Sequence, residues 1–461
     1  MMTGEPMPVE KGPGDPVYAA TVNTFGGIRL RALKVGSETA LAQIIRAVEE
    51  AQGSKAPIAR AADAVAGVFV PVVFVIALVS GALWLLLGGG GISAALNAFV
   101  SVLVISCPCA LGLATPLAII VGTGKGAECG ILIKGGEALE AAHKVNAAVM
   151  DKTGTITLGK PTVAEAAATE GHGLEEVLSL AASAEAPSEH PLGKAVVSHA
   201  ARMGIATHPC TDFKAVAGMG VEALVRGVSV LVGNGRLMAE RGVCLDAAAP
   251  LVGGLHMKGM TAVYIAAEGA PLGIMALTDP VRETSPGAVD RLRRMGVEVI
   301  MATGDGAEAA EAVAARVRVD SVMSGLLPRG KADAVAKLRA AGRVVAMVGD
   351  GINDAPALAG ADIGIALGSG TDVAMDSADI VLKGADLRGV PAAIELSRRT
   401  MRNIRQNLFW AFAYNAVCIP IAAAGLLNPM IAAAAMCLSD VSLLINVLRL
   451  KRMDVIKLMN P

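Results

Sequence analysis

Two long stretches of the chain carry no charge. Between Asp63 and Lys125, residues 64–124 contain no Asp, Glu, Lys or Arg. At about 20 apolar residues per crossing, this length predicts two membrane helices. The run Gly88-Gly89-Gly90-Gly91 divides them, giving spans near Val65–Leu87 and Ile92–Val121. A second stretch, Gln406–Leu448, is interrupted only by Asp440 and divided at Asn428-Pro429, which predicts two more spans. The Gly88–Gly91 turn lacks basic residues, whereas Arg398, Arg399, Arg402 and Arg405 precede the third span and Arg449, Lys451 and Arg452 follow the fourth. By the preference of basic loops for the cytosol, both termini and the central segment are expected there. The expectation is a multi-pass protein of the plasma (inner) membrane.

The segment between the helix pairs has a different rhythm. Apolar runs end repeatedly in an acidic residue: Ala147 to Asp151, Gly273 to Asp279, Val297 to Asp305 and Val344 to Asp350. Helical stretches such as Ala307–Arg316 and Gly330–Ala340 separate them, the pattern of parallel strands with crossover helices. Chemistry in such sheets gathers beyond the carboxyl ends of the strands, so the four aspartates are expected on one edge. Upstream, Ile28, Leu30 and Ala32 alternate with Arg29 and Arg31 as in a strand with one wet face, and Ser37–Gln52 reads as an amphipathic helix.

Composition agrees with the membrane reading. Apolar residues make up 54% of the chain and charged ones 18%, against roughly a quarter charged in a soluble domain. Forty basic residues nearly cancel 41 acidic ones, so no nucleic-acid partner is expected. Seven cysteines without a repeating framework fit a reducing compartment better than a secreted disulfide scaffold.

The strand-end Asp151, followed by Lys152-Thr153-Gly154-Thr155, offers a carboxylate nucleophile beside a cation and hydroxyls, which suits an aspartyl-phosphate intermediate. Phosphoryl transfer depends mainly on positioning and charge neutralisation, so a hard cation on oxygen ligands is expected next to it. Asp350 and Asp354, with Asn353 between them, are candidates to hold Mg²⁺, and Thr303 and Lys331 to bind phosphoryl oxygens.

Asp151-Lys152-Thr153-Gly154-Thr155, Thr303-Gly304-Asp305 and Gly349-Asp350-Gly351-Ile352-Asn353-Asp354-Ala355-Pro356, in this order, resemble the signatures of P-type ATPases. The resemblance implies a haloacid-dehalogenase-like α/β phosphorylation domain in a multi-domain membrane protein with four transmembrane α-helices, phosphorylated by ATP at Asp151. It gives Lys152, Thr153, Thr303, Asp305 and Lys331 catalytic roles, and places Mg²⁺ on Asp151, Thr153, Asp350 and Asp354.

Residues 158–270 are too many for a simple crossover and predict an inserted α+β domain. Ser188-Glu189-His190-Pro191-Leu192 resembles the His-Pro nucleotide motif of the heavy-metal branch, with Glu185 five residues earlier. Gly218-Met219-Gly220 and Gly233-Asn234 resemble its glycine elements, where missing side chains let a nucleotide approach the backbone. Alone, such a histidine reads as a helix cap and such glycines as a turn. The resemblance makes Glu185, His190, Gly218, Gly220, Gly233 and Asn234 the ATP site.

Ser106-Cys107-Pro108-Cys109 lies in the second span. Proline there kinks the helix, and two thiols favour soft cations such as Cu⁺, Zn²⁺ or Cd²⁺. The arrangement resembles the heavy-metal transporters. Tyr414-Asn415 in the third span, and Met436 with Ser439 three residues apart in the fourth, resemble the copper-transporting members, implying Cu⁺ export on Cys107, Cys109, Tyr414, Asn415, Met436 and Ser439. Asp440 departs from that pattern, and an intramembrane carboxylate is a functional candidate by default; it keeps Zn²⁺ or Cd²⁺ open. Thr3-Gly4-Glu5 resembles the loop whose glutamate drives dephosphorylation, giving Glu5 that role in a partial, β-rich actuator domain.

The expected layout is therefore 1–55 partial actuator, 65–121 first helix pair, 143–160 with 271–395 phosphorylation domain, 161–270 nucleotide domain and 406–448 last helix pair. The full-length family carries further helix pairs and metal-binding modules before this point, so the chain reads as a C-terminal part of such a pump, impaired in transport. Lipid and a metal-delivering metallochaperone are the implied partners. A membrane-anchored, non-transporting phosphatase-like remnant is the alternative from another class.

Overall fold

A computed structural model describes residues 14, 17, 29–32, 35, 56–87, 91–106, 109–188, 190–216, 219–246, 260–326, 328–350, 354–368, 377–384, 386–454 and 456–459. Glu5, Cys107, Pro108, Gly218 and Asn353 lie outside the described residues, as does the side chain of Cys109. The helix expected over residues 37–52 also lies outside them. Residues 29–32 carry no regular structure, so the strand expected there is not formed by them. The chain divides into two compact units, residues 147–337 with 347–357, and residues 1–146 with 338–346 and 358–461.

The first of these units holds the acidic strand ends. Its parallel strands are Ala147–Asp151, Glu298–Ala302 and Ser321–Met323, in that order, with the end of Val345–Gly349 on the other side of Ala147–Asp151. Asp151 is in register with Ala302, and Met150 with Met301. Every residue of Ala147–Asp151 is buried, which is why the run is continuously apolar rather than alternating. The helices Ala307–Val317 and Pro328–Ala340 form close to the expected positions.

The run ending at Asp279 behaves differently from expectation. Ala270–Thr278 pairs antiparallel with both Thr162–Ala168 and Thr261–Ala267. It belongs to a six-stranded sheet ordered Thr162–Ala168, Ala270–Thr278, Thr261–Ala267, Val228–Gly233, Gly220–Val225, Cys210–Val216. One face packs on Leu174–Glu185 and Pro191–Arg202 through Val177, Ala181, Val196, Val232 and Ile265. The other buries Leu231, Tyr264 and Ile274 against Met238 of the short helix Gly235–Glu240. With both faces covered, a central antiparallel strand reads as apolar throughout, indistinguishable by periodicity from a parallel one.

The second unit contains the apolar helices. Among the described residues, Pro57–Leu87 and Pro429–Lys451 are long and apolar enough to cross a membrane. Pro57 occupies the first helical position, where its missing N–H is no loss. The region expected as the second span forms two helices, Gly91–Ile105 and Cys109–Glu128. The expected third span is the latter part of the 35-residue helix Gly389–Ala423, whose apolar run is diluted by Gln406, Asn407, Tyr414 and Asn415. The inward faces of these helices share a core of Val73, Ala77, Val102, Ile105, Ile419, Ala422 and Ala432. Outward lie large apolar side chains such as Leu86, Leu87, Ile92, Phe409 and Ile445, a surface suited to lipid rather than water.

Candidate phosphoryl-transfer site

Asp151 ends its strand and is only 6% exposed. A carboxylate buried this far needs a partner, and Lys331 supplies one: its Nζ donates to Asp151 Oδ1 at 2.7 Å and to Asp354 Oδ1 at 2.8 Å. Carboxylate oxygens of Asp151, Asp350 and Asp354 lie within 4.8 Å of one another. Burial first, and then the nearby Asp354, push the Asp151 carboxyl up to about 7 despite Lys331. Burial and Asp354 also raise the Asp350 carboxyl, with Arg282 and Lys331 opposing. Burial alone would lower the Lys331 ammonium, but Asp151 and Asp354 outweigh it and hold the ammonium above its usual range. Three oxygen-bearing acids facing one cation fit a hard divalent ion such as Mg²⁺.

The loop after Asp151 is a single irregular turn, Lys152–Ile156, in which Gly154 is left-handed at φ +72°. An added Cβ there would land on the Asp350 carboxylate, so glycine is required on two counts. Arg282, 9% exposed, donates through Nε to the Thr155 carbonyl at 3.0 Å and through Nη2 to the Gly154 carbonyl. Asp279 accepts from the Thr157 hydroxyl at 2.5 Å and from the Gly159 and Lys160 amides at 3.2 and 3.1 Å, fixing the exit of the loop. Asp279 thus braces the chain behind the carboxylate cluster and is not among its members.

Lys152 forms an ion pair with Asp305. Thr303 is 2% exposed, and its Oγ1 accepts from the Asp305 amide at 3.1 Å, which orients the turn after that strand. Thr153 is exposed beside the buried nucleophile. The expected catalytic residues Asp151, Lys152, Thr303, Asp305, Asp350 and Asp354 are therefore held by strand ends and the loops that follow them, and Lys331 by the helix Pro328–Ala340. Arg282 escaped sequence reasoning; its only signal was a basic residue three positions after a strand-end acid.

In the inserted domain, Glu185 is 7% exposed, its Oε2 has no hydrogen-bond partner among the described residues, and burial raises its carboxyl while Ser188 opposes. His190 caps Pro191–Arg202, its Nδ1 accepting from the Leu192 amide at 3.2 Å. Gly220 and Gly233 face each other in register, and a Cβ on either would collide with backbone of the other turn. Asn234 caps the next helix through Leu237 N at 3.1 Å.

Among the membrane candidates, Ser439 is buried while Tyr414, Asn415, Met436 and Asp440 are half-buried. Asn403, Asn407 and Asn446 join the two last long helices: Asn407 Nδ2 donates to Asn403 Oδ1 at 3.2 Å, Asn446 Nδ2 to Asn407 Oδ1 at 2.8 Å, and Asn403 Nδ2 to the Asn446 carbonyl at 2.8 Å.

Residues 145–362 match the haloacid dehalogenase-like hydrolase family, and residues 1–49 match the P-type ATPase actuator domain. The chain is 37% identical to a zinc-transporting PIB-type ATPase of known crystal structure, with a TM-score of 0.77, covering 91% of this chain and 68% of that one. A second crystal structure of a zinc-transporting PIB-type ATPase gives 37% identity and a TM-score of 0.69, covering 97% and 73%. The chain belongs to the heavy-metal P-type ATPases.

Within that family it is 50% identical over 454 residues to a copper-exporting P-type ATPase of Staphylococcus saprophyticus subsp. saprophyticus. It is 51% identical over 455 residues to one of Staphylococcus aureus (strain Newman). Each match covers 98% of this chain and 56% of the relative's length, so the chain spans about half of these copper-exporting ATPases.

Proposed function

We propose that this heavy-metal P-type ATPase couples ATP hydrolysis to export of Cu⁺ through an aspartyl-phosphate at Asp151. The observation that carries the reading is the buried Asp151 carboxylate, bonded to Lys331 with Asp350 and Asp354 oxygens within 4.8 Å. An Asp151 oxygen attacks the γ-phosphorus of ATP; the O–P bond forms as the bond to the bridging oxygen breaks, and ADP departs with that electron pair. Lys331 neutralises the charge gathering on the phosphoryl oxygens. Thr153 and Thr303 orient them, and Lys152 and Asp305 hold the flanking turns. Asp151, Asp350 and Asp354, with Thr153, would hold Mg²⁺, which supplies further charge neutralisation when bound. Glu5 activates the water for dephosphorylation. ATP binds over Glu185, His190, Gly218, Gly220, Gly233 and Asn234.

In the membrane part we infer four spans with both termini cytosolic, in the plasma membrane. The cation rests on Cys107 and Cys109, with Tyr414, Asn415, Met436 and Ser439 as neighbours, after delivery by a metallochaperone. The copper-exporting relatives and the thioether of Met436 support Cu⁺. Asp440 favours a second reading, Zn²⁺ or Cd²⁺, and stimulation of ATP hydrolysis by each metal separates the two.

The direct test is labelling with γ-labelled ATP. The expected product is an acid-stable, hydroxylamine-sensitive phosphoenzyme, absent in Asp151→Asn. Wild-type chain without label would refute the reading and leave the non-transporting remnant.

A further inference from the structure

In chain order the short helix Gly136–Ala142 lies between the apolar helix Cys109–Glu128 and the strand that ends at Asp151. Its last turn also holds two other helices. The buried Glu140 carboxylate accepts from the Ile58 amide at 2.8 Å, at the start of Pro57–Leu87, and from Lys144 Nζ at 3.1 Å. His143, half-buried just past the helix end, meets the long helix Gly389–Ala423: Arg405 Nη2 lies 3.1 Å from its Nε2, while its Nδ1 lies 2.5 Å from the Glu140 carbonyl. Two turns nearer the start of that long helix, Arg398 Nη2 donates to the Val145 carbonyl at 3.2 Å.

The two ring contacts fix the charge of His143. A guanidinium offers only donors, so Nε2 must accept through its lone pair; a carbonyl offers only an acceptor, so Nδ1 must carry the proton. The neutral Nδ1–H imidazole alone satisfies both partners. A second proton could go only to Nε2, where it would face the Arg405 N–H and set two cations side by side. Among the described residues, the charges acting on the ring are Arg405 from Gly389–Ala423, and Lys144 and Glu140 from its own segment. Arg60, on Pro57–Leu87, is taken up by Glu137 at 3.1 Å. Burial first, seconded by Arg405 and Lys144, keeps the ring's proton affinity below the usual histidine range, while the Glu140 carbonyl and carboxylate oppose.

We propose that His143 is a proton-sensitive tie between the basic stem of Gly389–Ala423 and the segment leading into Asp151. Neutral, the ring joins Arg405 to the end of Gly136–Ala142; protonated, it loses that bond and releases the stem. Tyr414 and Asn415 lie further along the same continuous helix, and Asp151 follows His143 by eight residues, so acid weakens the mechanical link between the carboxylate cluster and the helix bearing these two residues. The sign follows from linkage. A ring that binds its proton less well when docked favours docking at high pH. Docking has full strength above the free-histidine value of about 6.5 and weakens about tenfold per pH unit below it, until the docked ring itself titrates. The tie is independent of the cation carried; its consequence for turnover rests on the proposed phosphorylation of Asp151.

The test uses the full chain in detergent micelles with ¹⁵N-labelled histidine. The ring-nitrogen shifts give the tautomer and titration midpoint of His143, whose signal is assigned by its loss in His143→Gln. Expected is an Nδ1–H ring with a midpoint below about 6.5, rising in Arg405→Gln, which keeps a donor and removes the charge. Hydrogen exchange over residues 395–408, corrected for its intrinsic pH dependence, reads the stem. Between pH 7.5 and 5.5 its opening is expected to increase about tenfold in wild type and to stay flat in His143→Gln, which offers a donor and an acceptor but takes no proton. A proton on Nε2, a midpoint unmoved in Arg405→Gln, or an equal rise in exchange in wild type and His143→Gln overturns the inference. Cu⁺-stimulated labelling from γ-labelled ATP, as the ratio of wild type to His143→Gln, should fall with the same midpoint; a constant ratio overturns the coupling. Wild-type chain that takes no label at any pH overturns the Asp151 reading, and the shift and exchange results then decide the tie by themselves.

Discussion

Asp151→Asn removes the charge whose burial is most costly. The lift of the Asp151 carboxyl from 3.8 to about 7 is about three units, and at about 1.4 kcal/mol per unit the ionised native state carries a penalty of about 4 kcal/mol. Asparagine abolishes that penalty, in which the opposing bond from Lys331 is already included. The gain at pH 8 is up to about 4 kcal/mol, or about 8–16 °C in the unfolding temperature of a unit of this size. The pH dependence follows from the direction of the shift. Below pH 3.8 Asp151 is protonated in both states and the penalty is absent. It grows as the unfolded chain ionises and saturates above about 7. Asp151→Asn should therefore be the more stable protein at pH 8 and close to wild type at pH 4, where the native carboxyl is itself protonated. Thermal unfolding of the full chain in detergent, followed by near-ultraviolet circular dichroism across this range, reads the growth of the difference. A difference that stays constant with pH, or a variant less stable than wild type at pH 8, would refute the assignment of burial as the dominant force on this carboxylate. Mg²⁺ at pH 8 should raise the unfolding temperature of wild type more than that of the variant.

Gly154→Ala forces a left-handed side chain onto the Asp350 carboxylate; it should cost at least about 2 kcal/mol and eliminate the labelled phosphoenzyme, as seen by acid-gel autoradiography. Arg282→Met leaves the Gly154 and Thr155 carbonyls without their buried donor and should destabilise this unit by about 3 kcal/mol in denaturant titration, whereas Arg282→Lys recovers part of the loss. For Glu185, burial raises the carboxyl, so the inserted domain loses stability as pH climbs through and beyond the usual glutamate range. Glu185→Gln should flatten that decline, and equal pH slopes for the two proteins in thermal melts would contradict it.

Much of the site was legible because phosphoryl chemistry here sits at strand ends. Apolar runs stopping at Asp151, Asp305 and Asp350 located three carboxylates before any pairing was known, and the helices between followed from their periodicity. What the pattern missed has a common cause. Ala270–Thr278 is apolar because helices cover both faces of its sheet, so its antiparallel pairing left no trace in the run. Arg282 works through backbone carbonyls, which have no sequence identity. The double bond of Lys331 to Asp151 and Asp354 depends on the Pro328–Ala340 helix delivering one side chain between two loops, a fact of tertiary geometry. The apolar helices were foreseeable in place from charge alone, but not the division between Gly91–Ile105 and Cys109–Glu128 as separate elements.

Arg282 clamps a loop made 127 residues earlier in the chain. Everything from Thr162 to Thr278 must be synthesised between the two, and at about 5–20 residues per second that interval lasts about 6–25 s. The nascent Asp151 loop consequently emerges from the ribosome long before its anchor does. The intervening sheet has time to fold first, bringing Arg282 home when its last strand closes. Completion of the phosphate-accepting loop is thereby made conditional on a finished insert, so that a polypeptide stalled midway would hold its nucleophile on an unfastened turn.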